Sequence, residues 1–412
     1  MFASWDNYCK IFGIVLLKNV NMKLPVAWLY DMVDEFIRQY QSFCEYRGKL
    51  QSKSPQEIDM LRANGEAWNS AVVLQTLQDL VDKSGVAALL PEEFAGRSTA
   101  ISGSESEDGD SNVLTMLGYY SLLGRMRLLC LLGEYRGALA ASDPARLAQR
   151  GALTGIPVVH AEAYYYMGFS YMMCHRYCDA IRCFNTLCAY TGRVIPTLQR
   201  SSKLELLTKT TEKAYALLAA CLSLCPMRQY VEEGVMSQLR DKQGEKMIKM
   251  ARMEEKAFDE IFAFGCPKFV APASPDFAEA ANSRSGDAYR AQVQLFMQDV
   301  RQFAAFHPIR TQLAMYTSIP MAKLAKAAGT DERALGALLA AYKERSQAMQ
   351  WSGEDSNLGG KMRACTDIDF TIDGNNVVHV EQKKMKSNST DFLKRAISEL
   401  EGATKKMVTP VM

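Results

Sequence analysis

The sequence predicts a mainly α fold: a helical-repeat array, then three helices followed by a β-hairpin, then a C-terminal helix. Three observations carry this. Apolar residues recur at helical spacing through most of the 412 residues, 48% of which are hydrophobic and 23% charged. Tyr164-x-x-Met167-Gly168-x-x-Tyr171 is followed by Tyr177-x-x-Ala180-x-x-x-Phe184-x-x-Leu187. That spacing matches tetratricopeptide-like hairpins, in which an aromatic, a Gly and a Tyr of one helix pack against an Ala and a Phe of the next. Near the C-terminus, Ile368, Phe370 and Ile372 alternate with Asp367, Asp369 and Thr371 ahead of Asp373-Gly374-Asn375-Asn376, a strand entering a turn.

Composition narrows the functional classes. A formal net charge of +2 excludes the whole-molecule basic field of a protein that coats nucleic acid. The eleven cysteines have no framework spacing, which predicts reduced thiols inside the cell. Ile11 to Leu17 is a short apolar run preceded by Asp6 and is expected to be a buried helix, neither a signal peptide nor a membrane span.

In chain order, Pro25 opens a helix to Arg47 whose Leu29, Val33, Phe36, Ile37, Tyr40 and Cys44 share a face. Ser54-Pro55-Gln56-Glu57 is a capping box. Another apolar helix covers Val72 to Val81, and Arg97 to Asn112 reads as an acidic loop in which Ser102 and Ser104 fit acidophilic kinases. Leu114 to Ala141 ends in Tyr135-x-x-Ala138, an echo of Tyr177-x-x-Ala180 at a longer offset than a strict tetratricopeptide unit. Helical patterns continue through Leu204 to Leu224, Met236 to Phe264 and Tyr289 to Phe306. Pro267, Pro272 and Pro275 mark a long connection expected to lie across the repeats. Tyr164, Gly168, Tyr171, Tyr177, Ala180 and Phe184 are the expected repeat-packing residues.

After His307-Pro308 a short helix is expected with Ile309, Leu313 and Tyr316, a second from Ile319 to Ala328, and a third after Thr330 with Leu335, Leu338, Leu339 and Tyr342 on one face. With the hairpin Ile368 to Gln382 this is the element order of a winged helix. A last helix from Thr390 carries Leu393, Ala396, Leu400, Ala403 and Met407 in a seam of about two heptads, which implies a partner helix. The expected domains are thus a repeat array over 1–306, a winged helix over 307–386 and a bundle helix with its tail over 387–412.

This plan is that of the PCI domain. The local sequence narrows it: Leu24-Pro25 with Trp28, Asp34-Glu35-Phe36-Ile37, Leu80-Val81-Asp82-Lys83-Ser84, Met116-Leu117-Gly118-Tyr119, Arg176-Tyr177 with Asp179-Ala180-Ile181-Arg182, and Cys266-Pro267-Lys268-Phe269. Together with Pro320, Ala322-Lys323-Leu324-Ala325, Trp351 and Asp369-Phe370 they closely resemble the subunit L family of eukaryotic translation initiation factor 3, in one order from about Tyr8 to Met407. Members of that family usually start well upstream of Phe2 to Phe12, so an N-terminal segment is expected to be missing. The acidic insert is also richer in Ser and Glu than the family pattern.

The resemblance implies a non-catalytic, cytoplasmic scaffold. Of subunits K and E of the same factor, the first would be its direct neighbour and the second would be close by; the small ribosomal subunit would be reached through the complex. Ile368, Phe370 and Val378 of the hairpin edge, with Leu393, Ala396, Leu400, Ala403 and Met407, are the candidate partner interface. The alternatives are an RNA-binding winged helix or a scaffold of the proteasome lid or signalosome. Lys242, Lys246, Lys249 and Lys256 form a basic stripe that could meet ribosomal RNA, against a plain solvated face with Glu245, Glu254 and Glu255 interleaved. No cofactor, metal or catalytic residue is expected. Cys174, Cys178, Cys183 and Cys188 with His175 lack the paired spacing of zinc sites, and no phosphate loop, His-Glu-x-x-His or nucleophile elbow occurs.

Overall fold

The computed structural model describes residues 2–18, 20–95, 111–147, 155–198, 202–271, 286–353, 356–374 and 376–382. Its first part stacks helices α1 (Phe2–Leu17), α2 (Val26–Gly48), α3 (Pro55–Ala63), α4 (Ser70–Ser84), α5 (Val86–Phe94), α6 (Val113–Leu131), α7 (Tyr135–Ala141), α8 (Pro157–Met173), α9 (Tyr177–Val194), α10 (Ser202–Leu224), α11 (Glu233–Ala251) and α12 (Glu255–Gly265). The capping box forms as its sequence requires: Ser54 accepts from the Glu57 amide while the Glu57 side chain accepts from the Ser54 amide. α6 is buried on every side, in keeping with a sequence that is apolar all round. In α1 the expectation of a buried helix needs correction. Phe12 and Val15 are buried, and Phe12 packs with Tyr8 against Phe36, but Ile11, Ile14 and Leu17 face outward, Leu17 at 87% exposure. No helix among the described residues is long and apolar enough to cross a membrane.

Three of the turns between helices close in the same way. Gly133, His175 and Met253 take positive φ, and the following amide reaches back to the last helical turn: Glu134 to Leu129, Arg176 to Tyr171 and Glu254 to Lys249. This is the Schellman-type ending, in which a left-handed residue lets the chain reverse while orphan carbonyls are satisfied. Met253 also splits the expected Met236 to Phe264 helix into α11 and α12. Between α8 and α9 the small residue is required. A Cβ on Gly168 would lie 2.9 Å from the Phe184 ring and 3.1 Å from the Cys183 Cβ. Tyr164, Tyr171, Tyr177, Ala180 and Phe184 are buried around that contact.

The start of the proline-bearing connection does lie across the helices. Lys213 Nζ donates to the Cys266 carbonyl at 3.2 Å and the Val270 amide to the Leu131 carbonyl at 3.0 Å. Residues 272–285 lie outside the described part, as do 97–110 of the acidic loop.

α13 (Asp287–Leu313) departs from the sequence expectation by running through Pro308. Proline deletes one main-chain bond at a cost of roughly 3 kcal/mol. Phe306, Ile309 and Leu313 each bury in a second core, which at roughly 1.5–3 kcal/mol apiece offsets that cost. The second core also holds Ile319, Leu324, Leu335, Leu339, Tyr342, Ile368, Phe370 and Val378. It lies under β1 (Ser318–Pro320), α14 (Met321–Ala328), α15 (Glu332–Arg345), β4 (Ile368–Ile372) and β5 (Val377–Gln382); between α15 and β4 the chain forms β2 (Gln347–Gln350) and β3 (Lys361–Ala364). The sheet has the antiparallel order β1-β5-β4, with Ile319 opposite Val378 and Ile368 opposite Gln382, and β2 pairs with β3 as a separate ribbon. The helix expected from Ile319 therefore begins only at Met321, because Ile319 belongs to β1. The hairpin turn falls where Asp373 and Gly374 place it.

Candidate functional site

A dense polar construction joins the array to the sheet-bearing unit, and Arg176, at the head of α9, organises it. Its guanidinium holds Asp179 through Nε at 2.9 Å and Nη2 at 2.7 Å. The remaining donors reach the loop between β2 and β3: the Asn357 and Leu358 carbonyls at 2.9 Å each and that of Gly359 at 3.0 Å. Arginine suits this task because its fork is planar and always charged. Asp179 accepts the Trp351 amide at 3.1 Å, and Tyr171 donates to the Asn357 carbonyl at 3.0 Å. The Asn357 amide donates to Asp143 at 2.7 Å. Burial pushes the Asp179 carboxyl up, with Arg176 opposing the shift.

A second grip uses α13. Its Asp299, only 3% exposed, accepts from Tyr177 and Arg345 and lies 2.7 Å from His175 Nδ1. The α8–α9 turn and the end of α15 thus meet on one carboxylate. Burial and the nearby Arg345 lower the His175 pKa, which favours a neutral ring donating to Asp299. Behind them Gln350 is buried, its amide donating to the Ala364 carbonyl at 3.2 Å and to Cys178 Sγ at 3.3 Å, while Cys225 Sγ donates to the Cys365 carbonyl at 2.8 Å. These groups bind and position. None forms a nucleophile–base pair, and burial holds the Cys183 and Cys188 thiols protonated.

The expected interface residues are distributed differently from the sequence reading. Ile368, Phe370 and Val378 point into the chain's own second core, 5%, 4% and 0% exposed, so they offer no side chain to a partner. Nor is the β4 edge free at Ile368 and Phe370. Thr366 Oγ1 engages both the amide and the carbonyl of Ile368, the Phe370 amide donates to Asp369, and Lys343 donates to the Phe370 carbonyl at 2.8 Å. Such side-chain plugs blunt strand addition. Leu393, Ala396, Leu400, Ala403 and Met407 lie outside the described residues. The basic stripe is interrupted as well: Lys242, Lys246 and Lys249 belong to α11, but Lys256 belongs to α12 beyond the Met253 turn. Lys249 pairs with Glu245 at 3.1 Å and Lys242 lies over the Tyr215 ring.

Sequence reasoning missed Asn357 and Asp299, and weighed Arg345 only as a cation of the third helix. Asn357 is met by Tyr171, Arg176 and Asp143, and Asp299 by His175 and Tyr177, all more than a hundred positions away, while Arg345 reaches Asp299 from another helix, so no local pattern encodes them. Arg176 and Asp179 stood among the family landmarks, although the landmark gave them no role.

The family model described as RNA polymerase I-associated factor PAF67 matches residues 1–400. Eukaryotic translation initiation factor 3 subunit L of Nematostella vectensis is 37% identical over 400 residues, covering 96% of this chain and 75% of the relative. The subunit L proteins of Danio rerio and Homo sapiens are each 35% identical over 411 residues, covering 97% of this chain and 69% and 71% of their own lengths. The chain belongs to the eukaryotic translation initiation factor 3 subunit L family.

Proposed function

We propose that this chain is a non-catalytic scaffold subunit of translation initiation factor 3, built to present its sheet-bearing unit and terminal segment at a fixed angle to the helical array. The observation that carries this is the double grip at the junction, Arg176 on the β2–β3 loop and Asp299 on Arg345. A flexibly tethered domain would not need buried charge to hold it. In this reading, of subunits K and E, the former is the direct neighbour and the latter is nearby, and the small ribosomal subunit is reached through the assembled complex in the cytoplasm. Because the β4 edge is plugged at Ile368 and Phe370, attachment falls in this reading to the seam of Leu393 and Leu400. Replacing both by Asp should leave the array folded and release the chain from the complex, since charges are excluded from an apolar seam. Retained association at normal stoichiometry would refute the attachment.

RNA reading by the winged helix is the rival, and the structure weakens it. Lys343 and Arg345, two of the cations on α15, are engaged by Asp369 and Asp299, which leaves Arg333 among Asp331, Glu332 and Glu344. Binding of the purified chain to RNA across a salt series separates the readings, because phosphate contacts give a steep salt slope.

A further inference from the structure

Between the array and the sheet-bearing unit runs an open groove of about 1130 Å³, lined by Met173 of α8, Phe306 of α13, Leu338 and Ala341 of α15, and Met349 and Met362 of the β2–β3 ribbon. Met349 and Met362 face each other across the ribbon and are 39% and 58% exposed. Methionines adapt to irregular apolar partners, and an apolar groove of this length suits an amphipathic helix. Arg176 and Arg345 also line it but are neutralised by Asp179 and Asp299. The exposed charges left on the rim are Glu134, Glu344 and Arg136, a slight negative excess.

We infer that in the uncomplexed chain this groove is occupied by the chain's own residues 390–407. The strand register brings that segment to it. Cys365 lines the groove, β4 starts at Ile368, and β5 returns antiparallel so that Gln382, its last residue, lies opposite Ile368. Paired residues are about 5 Å apart and three extended residues span at most about 11 Å, so the chain leaves the sheet near the groove rim. Residues 383–389 link that exit to the segment, whose 18 residues as a helix are about 27 Å long. Its Leu393, Ala396, Leu400, Ala403 and Met407 supply the apolar face, and its Lys394, Arg395, Lys405 and Lys406 against Asp391, Glu399 and Glu401 leave a slight positive excess opposite the slight negative excess of the rim. Occupancy stands on this geometry alone; its release when the segment joins other subunits rests on the assembly role proposed above.

The test uses the full chain with benzoylphenylalanine in place of Leu400. Photolysis of the free chain should give intrachain adducts on peptides containing Phe306, Met349 or Met362, lost in the Met349→Glu, Met362→Glu variant. Both methionines are exposed, so the variant keeps its fold. Trypsin should also cut after Lys394 and Arg395 about tenfold faster in that variant. Adducts between isotopically distinct chains in a mixture would overturn the inference in favour of a second copy. Absence of groove adducts in the free chain, with the Leu393→Asp, Leu400→Asp variant still released from the complex, would overturn it while leaving the scaffold reading intact. Groove adducts with unimpaired assembly of the Leu393→Asp, Leu400→Asp variant would support occupancy and remove the attachment instead.

Discussion

Replacing Arg176 by Met tests whether the junction holds the sheet-bearing unit. Met keeps most of the side-chain stem and removes the fork. The three carbonyl contacts at 2.9, 2.9 and 3.0 Å are charge-assisted, and each is worth roughly 1.5–3 kcal/mol singly. They share one guanidinium, so their sum overstates the loss. Asp179, 3% exposed, would keep the Trp351 amide and Arg182 at 3.5 Å as partners. Deleting one member of such a buried pair costs about 3–5 kcal/mol. That loss should fall on the β2–β3 loop, since none of the lost bonds to the loop holds the helices together. Amide hydrogen exchange reads it directly. Trp351 and Asn357 should exchange faster by roughly a hundredfold to a few thousandfold, while amides in the middle of α9 stay protected. Arg176→Lys should recover only part, because an ammonium cannot fork across three carbonyls. Unchanged exchange at Trp351 and Asn357 in folded Arg176→Met protein would refute the reasoning.

Other outcomes follow from single sites. Gly168→Ala should cost about 1–3 kcal/mol in chemical denaturation, because its Cβ would meet the Phe184 ring at 2.9 Å. Gly192→Ala, in the partner helix α9, meets nothing within 4 Å and should be neutral or gain up to about 1 kcal/mol. Burial lowers the His160 pKa from 6.5 to about 4, so the folded state prefers the neutral ring, which lies against Tyr190 and Tyr164. Its contribution is complete above pH 6.5 and is lost as pH falls toward 4, about 2–3 kcal/mol in all. His160→Phe should remove that part of the acid sensitivity in denaturation curves at pH 7.5 and 4.5. Arg127→Leu should cost about 3–5 kcal/mol, since Arg127 reaches Asp34 at 2.5 Å and Glu162 at 3.2 Å inside the α2, α6 and α8 packing. Lowering the pH should narrow the deficit relative to wild type as Glu162 protonates, since burial already pushes its carboxyl up.

Legibility in the sequence followed the range of the interactions. The Ser54–Glu57 cap, the α2 face and the β4–β5 hairpin are written in residues a few positions apart, and periodicity reveals them. So is the Gly168–Phe184 contact, because a helical hairpin fixes which residues meet. β1 was hidden because three residues carry no period and its partner Val378 is far along the chain. The ribbon was hidden for a different reason. Gln347-Ala348-Met349-Gln350 has no alternating apolar face, Lys361-Met362-Arg363-Ala364 alternates over too few residues to stand out, and the ribbon is held by Arg176, Asp179 and Tyr230 from elsewhere in the fold. Pro308 misled through a sound local rule, since proline does weaken a helix, but burial on both sides of it decided the outcome.

α13 explains why the two parts act as one body. Phe296, Met297 and Val300 belong to the first core, and Phe306, Ile309 and Leu313 further along the same helix belong to the second. A continuous helix transmits orientation, but by itself it leaves rotation about its own axis to be resisted elsewhere. The Arg176 grip on the β2–β3 loop supplies that second point of attachment, and Asp299 ties the helix to both sides at once. Two attachments off a common axis fix an angle, and a fixed angle is what a subunit needs if it is to set the spacing between neighbours it does not chemically alter.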